Sequence, residues 1–168
     1  MNLFPMLAGY NAWANARLYG AAAALSDEEY HADRGAFFGS VHRTLNHILV
    51  ADRIWLRRFT GQGDAPTRLD AVLYDAFPAL REARLAEDRR IAAYVAGLDE
   101  ERLSGLVTYI PITKPVEVTQ PLAPILLHLF NHQTHHRGQI HAILTGLGRE
   151  APSLDLPYFQ RETGEGMH

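Results

Sequence analysis

The chain of 168 residues contains no cysteine. That absence excludes disulfide bonds and thiolate ligands, so any metal ion has to be held by nitrogen or oxygen atoms. A dense cluster of lysine and arginine is also missing, and the formal net charge is -3. Without a basic patch the chain lacks the electrostatic footprint of a nucleic-acid binder, and we expect no direct contact with nucleic acid.

Long apolar runs are missing as well. No stretch approaches the roughly 20 apolar residues of a membrane span, and no basic segment precedes an apolar one as in a secretory signal. We therefore expect a cytoplasmic protein that does not contact the membrane. Hydrophobic residues make up 47% of the sequence, which is enough to fill one core in a chain of this length. A single domain over residues 1–168 is the expectation.

Four long segments have apolar residues at every third or fourth position, which is the helical period. They predict helices at about residues 4–25, 40–59, 75–98 and 121–146 or 148. Ser26 begins a capping box and predicts a short helical turn. Two β-rich stretches, 106–110 and 116–119, predict an edge hairpin before the last long helix, and residues 150–168 are expected to form an irregular C-terminal strap. The predicted fold class is all-α, a four-helix bundle with a short β-hairpin excursion.

A group of five histidines lies between residues 128 and 141 in the last predicted helix. Turning each residue by about 100° places His136 within the apolar arc of that helix and His132 beside its edge. A spacing of four puts both imidazoles on one helix face, where they can share a metal ion if a third ligand comes from elsewhere. The alternatives are core histidines satisfied by hydrogen bonds, or a solvated histidine-rich face.

Neither the general base of a metalloprotease nor the third ligand follows from this pattern. The helical zinc pair of such proteases carries glutamate directly after its first histidine, whereas Gln133 stands at that place here, so a metalloprotease is disfavoured. For the third ligand, His42 and His47 both lie on the second long helix, and periodicity does not choose between them. His47 lies off the strongest apolar stripe, which suggests a second buried face.

Other polar and aromatic residues have two interpretations each. Tyr10 and Trp13 are expected to be core or interface aromatics, although Tyr10 could hydrogen-bond a ligand in a cavity. Asp52 is in phase with apolar residues of its helix, so it either orients a ligand histidine or pairs with an arginine such as Arg137. Arg137 could alternatively bind an anionic substrate.

Three segments give the sequence a resemblance to a known family. They are YNAWAN at residues 10–15, TLNHIL at 44–49 followed by Asp52 and Trp55, and NHQTHHRGQ at 131–139, the most specific of the three. With these segments the chain resembles the DinB/YfiT superfamily, which is related to the metal-binding domain of mycothiol-dependent maleylpyruvate isomerases. The resemblance covers most of the chain.

The resemblance implies a four-helix bundle that binds a divalent metal through His47, His132 and His136. Three neutral imidazoles suit zinc or nickel and leave a position for water or substrate. It further implies a homodimer, and activation of water or of a low-molecular-weight thiol toward a small electrophilic substrate in a transfer or isomerisation. The alternatives are a non-catalytic bundle stabilised by metal, a stress-associated binding protein, and a helical dimer without metal.

Overall fold

The computed structural model describes residues 2–167 and is mostly helical. Four long helices form the bundle, and a two-stranded antiparallel sheet precedes the last of them, which confirms the predicted fold class. Within the described residues, no helix has both the length and the hydropathy needed to cross a bilayer. In chain order the elements are α1 (Phe4–Ala22), α2 (Asp27–His31), α3 (Val41–Thr60), α4 (Phe77–Ala96), α5 (Glu100–Ser104), β1 (Leu106–Tyr109), β2 (Val118–Pro121), α6 (Leu122–Gly146) and α7 (Leu156–Thr163).

Local signals in the sequence set most helix ends. The Ser26 side chain accepts from a backbone amide in the predicted capping box of α2, and Ser40 caps α3 in a similar way. Gly61, with φ of 71°, ends α3 in the left-handed region. Pro78 lies in the first turn of α4, where its missing amide proton has no helical partner to lose. Asp99, expected at the end of the third long helix, instead caps the start of the short α5.

The predicted hairpin is present, but its second strand is shifted by two residues. Leu106 pairs with Pro121 and Tyr109 with Val118, so β2 runs directly into α6. The loop between the strands contains Pro111 and Pro115, and because proline cannot donate to a ladder, pairing starts only after them. The sheet packs against the end of α3 and the start of α6 and so lies at one end of the bundle.

The expectation of an irregular C-terminal strap is wrong for residues 156–163, which form α7. Pro157 lies in the first turn of this helix, where its missing amide proton has no helical partner to lose. Phe159 anchors α7 to α1, with its ring 5.9 Å from that of Tyr10 and 5.8 Å from that of Trp13. Eight residues give about two turns, too short for apolar periodicity to be visible in the sequence.

The bundle core has two apolar clusters separated by a buried polar layer. Helix α1 packs on α4 and α6, and α3 packs on α4 and α6. One apolar cluster contains Leu18, Leu45, Leu80 and Ile140, and the other contains Trp55, Leu56, Ile91 and Leu126. Along each long helix the polar layer falls between the two clusters; it consists of Asn11, Asn15, Asp52, Arg84, Asp88, Gln133 and Arg137.

Candidate metal centre

Three imidazoles from two helices meet at one point beside the bundle core. His47 comes from α3, and His132 and His136 come from successive turns of α6. The Nε2 atom of His132 lies 3.1 Å from Nε2 of His47 and 3.1 Å from Nε2 of His136. His47 and His136 are buried and His132 is half-buried. The structure therefore brings together the three histidines that the family resemblance implied.

These distances suit a single metal ion. Two nitrogen ligands at about 2.05 Å from zinc lie roughly 3.3 Å apart at a tetrahedral angle and roughly 2.9 Å apart at a right angle. The observed 3.1 Å falls between these values. Among residues 2–167, the same three histidines form a group whose ligand atoms all lie within 4.8 Å of one another.

Hydrogen bonds at the far side of two rings fix which nitrogen carries the proton. His47 Nδ1 lies 2.7 Å from the Leu69 carbonyl oxygen and donates to it, because a carbonyl can only accept. His136 Nδ1 donates to Gln139 Oε1 at 2.8 Å. The Nε2 atoms of His47 and His136 are then both lone-pair acceptors directed at His132. A single proton on His132 Nε2 can form a good hydrogen bond with only one of them. A cation bound by all three lone pairs removes that conflict.

Burial keeps the three imidazoles in the uncharged form that binds metal. It lowers the pKa of His47 to about 4, against a weaker opposing effect of the hydrogen bond to Leu69. Burial and the neighbouring histidines lower the pKa of His132 to about 3. The pKa of His136 is also lowered, again mainly by burial. All three rings are therefore neutral at pH 7 and need not lose a proton to coordinate an ion.

The loop that supplies the Leu69 carbonyl is fastened by Asn46, next to the ligand in sequence. Asn46 Oδ1 accepts from the backbone amides of Leu73 and Tyr74 at 2.8 and 3.0 Å, and its Nδ2 donates to the Tyr74 carbonyl at 3.1 Å. The role of Leu69 could not be predicted, because a backbone carbonyl has no signature in the sequence. The role of Gln139 was not predicted either, although a spacing of three from His136 places the two side chains on one face.

An aromatic side chain covers one side of the centre, and a cavity opens at another. The Phe38 ring stacks on His47 with centroids 3.8 Å apart and planes 21° apart. The cavity measures about 250 Å³ and has His47 and His132 in its wall. Its remaining lining comes from α3, the loop before α4, the hairpin loop and α6: Ala51, Ile54, Trp55, Arg58, Leu69, Tyr109, Pro111, Ile112, Thr113 and His128.

The other histidines of α3 and α6 do not join the group. His42 is as buried as His47, but its Nε2 atom lies 3.2 Å from the Tyr74 carbonyl oxygen. His128 lines the cavity, with its ring 5.8 Å from that of His132. His135 is exposed and accepts from the Gln139 side-chain amide at 3.1 Å. The choice between His42 and His47, which periodicity left open, thus depends on tertiary direction and not on burial.

Asp52 pairs with an arginine, as the second of its two interpretations predicted, but not with the arginine named as an example. Its Oδ2 atom accepts from Arg84 at 2.5 Å and from Gln133 at 2.6 Å, so its arginine partner is Arg84 and not Arg137. Arg137 Nη1 donates to the amide oxygens of Asn11, Asn15 and Gln133 instead.

Tyr10 and Trp13 are core aromatics, as expected from the sequence, and Tyr10 does not hydrogen-bond a ligand beside the histidines. The Tyr10 hydroxyl donates to the Leu154 carbonyl at 2.7 Å and is absent from the lining of the cavity beside the histidines. Trp13 packs on Tyr10 with ring centroids 6.1 Å apart. These aromatics therefore join α1 to the C-terminal segment and do not reach the metal centre.

Comparison with known proteins agrees with this architecture. The model of the DinB family matches residues 1–167. Protein DinB of Bacillus subtilis (strain 168) is 28% identical over 155 residues, and the match covers 87% of each chain. The crystal structure of a DinB-like protein from Bacillus cereus ATCC 10987 has the same fold, with a TM-score of 0.64 at 18% identity over 84% of this chain and 90% of that one. Because the family model spans nearly the whole sequence, the chain belongs to the DinB family.

Proposed function

We propose that this protein is a metal-dependent enzyme in which His47, His132 and His136 hold a divalent ion, zinc or nickel. The proposed reaction is a transfer or isomerisation that uses an activated water molecule or low-molecular-weight thiol. The observation that carries the proposal is the convergence of three neutral Nε2 atoms, two of them from histidines that line a cavity. A divalent ion held by them supplies a Lewis acid, which lowers the pKa of a coordinated water or thiol toward neutrality.

The surrounding residues support catalysis because they orient the ligands and give the cavity an aromatic wall. Leu69 and Gln139 hold two imidazoles in the tautomer whose Nε2 lone pair faces the centre. Trp55 and Tyr109 form an aromatic wall, with ring centroids 5.0 Å apart. Since the chain has no cysteine, a thiol nucleophile has to arrive with the substrate.

His128 is the side chain best suited to take the proton of that nucleophile. It lines the cavity beside His132, and burial lowers the pKa of its imidazole, so the ring is neutral at pH 7. A neutral imidazole has one free lone pair and acts as a general base near neutral pH. In this proposal His128 receives the thiol or water proton; in a transfer it passes the proton to the leaving group or to solvent, and in an isomerisation it returns the proton to the departing thiol or water.

The test is turnover by metal-loaded protein. Untagged protein is loaded with zinc or nickel and assayed with a panel of low-molecular-weight thiols, including bacillithiol and mycothiol, against a chromogenic aryl chloride and a cis-enedioate. We expect a rate above the metal-free background, lost in His132→Ala and retained in His141→Ala, which removes another histidine of α6. Absence of turnover across the panel, with metal bound, would contradict the enzymatic proposal and favour an ion that only ties α3 to α6.

A further inference from the structure

The cavity beside the histidines has a single fixed cation in its lining, and it lies well away from the metal centre. His47, Ala51, Ile54 and Arg58 follow one another at helical spacing and line the cavity from one face of α3. Arg58 comes three turns after His47, so about 16 Å separates their positions along the helix axis. A molecule lying along this face meets the histidines at one end and Arg58 at the other.

The guanidinium of Arg58 is held in place without a carboxylate partner. It stacks over the Trp55 ring and over the Tyr109 ring, each centroid 4.5 Å from its central carbon. Its Nη2 atom donates to the Ile110 carbonyl at 3.0 Å. Across residues 2–167, no aspartate or glutamate forms an ion pair with it, and its other nitrogens make no hydrogen bond. A half-buried arginine fixed in this way keeps donors for an incoming anion.

The rest of the lining indicates what kind of anion fits. No aspartate or glutamate lines the cavity, so nothing there opposes a negative charge. Trp55, Ile54 and Ile112 make the walls apolar, which suits an organic body more than a hydrated inorganic ion. One guanidinium matches the charge and the two oxygens of a carboxylate, whereas a phosphate dianion carries a second negative charge for which this lining has no second arginine or lysine.

We propose that Arg58 determines substrate specificity by binding a carboxylate, so that the substrates are small carboxylate-bearing molecules with an apolar body. This inference rests on the proposed function, because it takes the cavity beside His47 and His132 as the substrate site. It also gives the hairpin a role. Tyr109, the last residue of β1, and Ile110, which follows it, both contact the guanidinium.

The experiment uses calorimetric titration of the full chain with 3-phenylpropionate and with its uncharged analogue 3-phenylpropionamide. Metal-free protein is titrated first, because a carboxylate can also coordinate a metal directly. We expect the acid to bind at least about tenfold more tightly than the amide, as a charge-assisted hydrogen bond provides. The preference should vanish in Arg58→Gln and be partly kept in Arg58→Lys.

Arg57→Gln is the matched control, since it removes the same charge one residue away on an exposed side chain and should keep the preference. Equal affinity for acid and amide in the native chain, no binding of either, or an unchanged preference in Arg58→Gln would overturn the inference. Arg58→Lys retains the positive charge and serves as the second variant if Arg58→Gln does not fold. A preference for the acid that is reduced in Arg58→Lys supports the role of Arg58, and one that is unchanged contradicts it. Zinc content measured on parallel samples after incubation with zinc separates the two proposals: bound zinc without acid preference removes only this inference, and acid preference without zinc removes only the metal centre.

Discussion

Asp52 and Arg84 form an ion pair in the centre of the bundle, with Oδ2 and Nη1 2.5 Å apart and both side chains almost fully buried. In Asp52→Ala the Arg84 guanidinium keeps Asp88, at 3.0 Å, as its carboxylate partner, and the Gln133 amide loses its acceptor. Because the buried polar layer is then only partly paired, we expect Asp52→Ala to lower the free energy of unfolding by about 3 kcal/mol, measured by urea denaturation.

The exposed pair Arg68 and Asp70 provides the control for this prediction. Their side chains also make a short contact, 2.8 Å, but in solvent. Surface ion pairs contribute little, so Asp70→Ala should leave the urea midpoint unchanged. Equal losses in the two variants would mean that burial does not set the strength of the Asp52–Arg84 pair.

Gln139 is expected to tune metal affinity without being a ligand. It accepts the Nδ1 proton of His136 at 2.8 Å and so keeps the other nitrogen free. Losing such a partner weakens metal binding by about 10–100-fold in comparable centres. Gln139→Ala should show this loss in zinc titrations against a competing chelator, while saturating zinc still gives the native stoichiometry. Gln139→Glu keeps an acceptor at that position and should restore the zinc affinity. If Gln139→Glu bound zinc as weakly as Gln139→Ala, the proposed role of Gln139 would be excluded.

The stability of the metal-free protein should fall as the pH is lowered from about 6.5 to about 4. Burial lowers the folded-state pKa of His47 to about 4 and of His132 to about 3, whereas a histidine ordinarily titrates near 6.5. In this interval the unfolded chain binds more protons than the folded one, so their contribution is present above pH 6.5 and is lost on acidification. After allowance for solvent screening it amounts to roughly 2–4 kcal/mol for the two groups.

Urea denaturation of metal-free protein at a series of pH values measures this dependence. The slope should be shallower in His132→Gln, which has no imidazole to protonate, and unchanged in His141→Gln. Identical slopes in the native chain and His132→Gln would contradict the assignment of the buried neutral histidines.

The long helices could be predicted because each carries several turns of apolar periodicity and ends at a recognisable cap, as at Ser40 and Gly61 of α3. The short helices α5 and α7 could not, since one or two turns give no period to read and the cap of α5, Asp99, looked like the end of the preceding helix. The hairpin was predicted from β-branched residues, but its register depends on which backbone groups the prolines leave able to pair.

For the candidate site, sequence reasoning reached the pair on α6 and stopped there. His132 and His136 follow from helix geometry alone. His42 and His47 are both buried on α3, so no property of that helix by itself distinguishes them, and the choice came from the family resemblance. The Leu69 carbonyl and the stacked Phe38 ring arrive from loops, whose path only the folded structure gives.

Metal analysis of untagged protein tests the central claim most directly. Elemental analysis after purification without an affinity tag should find one zinc or nickel ion per chain in the native protein and in His141→Ala. The same measurement should find less than a tenth of that content in His132→Ala and in His47→Ala, because two imidazoles hold an ion far more weakly than three. Full metal content in His132→Ala and His47→Ala, or none in the native protein after incubation with zinc and nickel, would contradict the three-histidine centre.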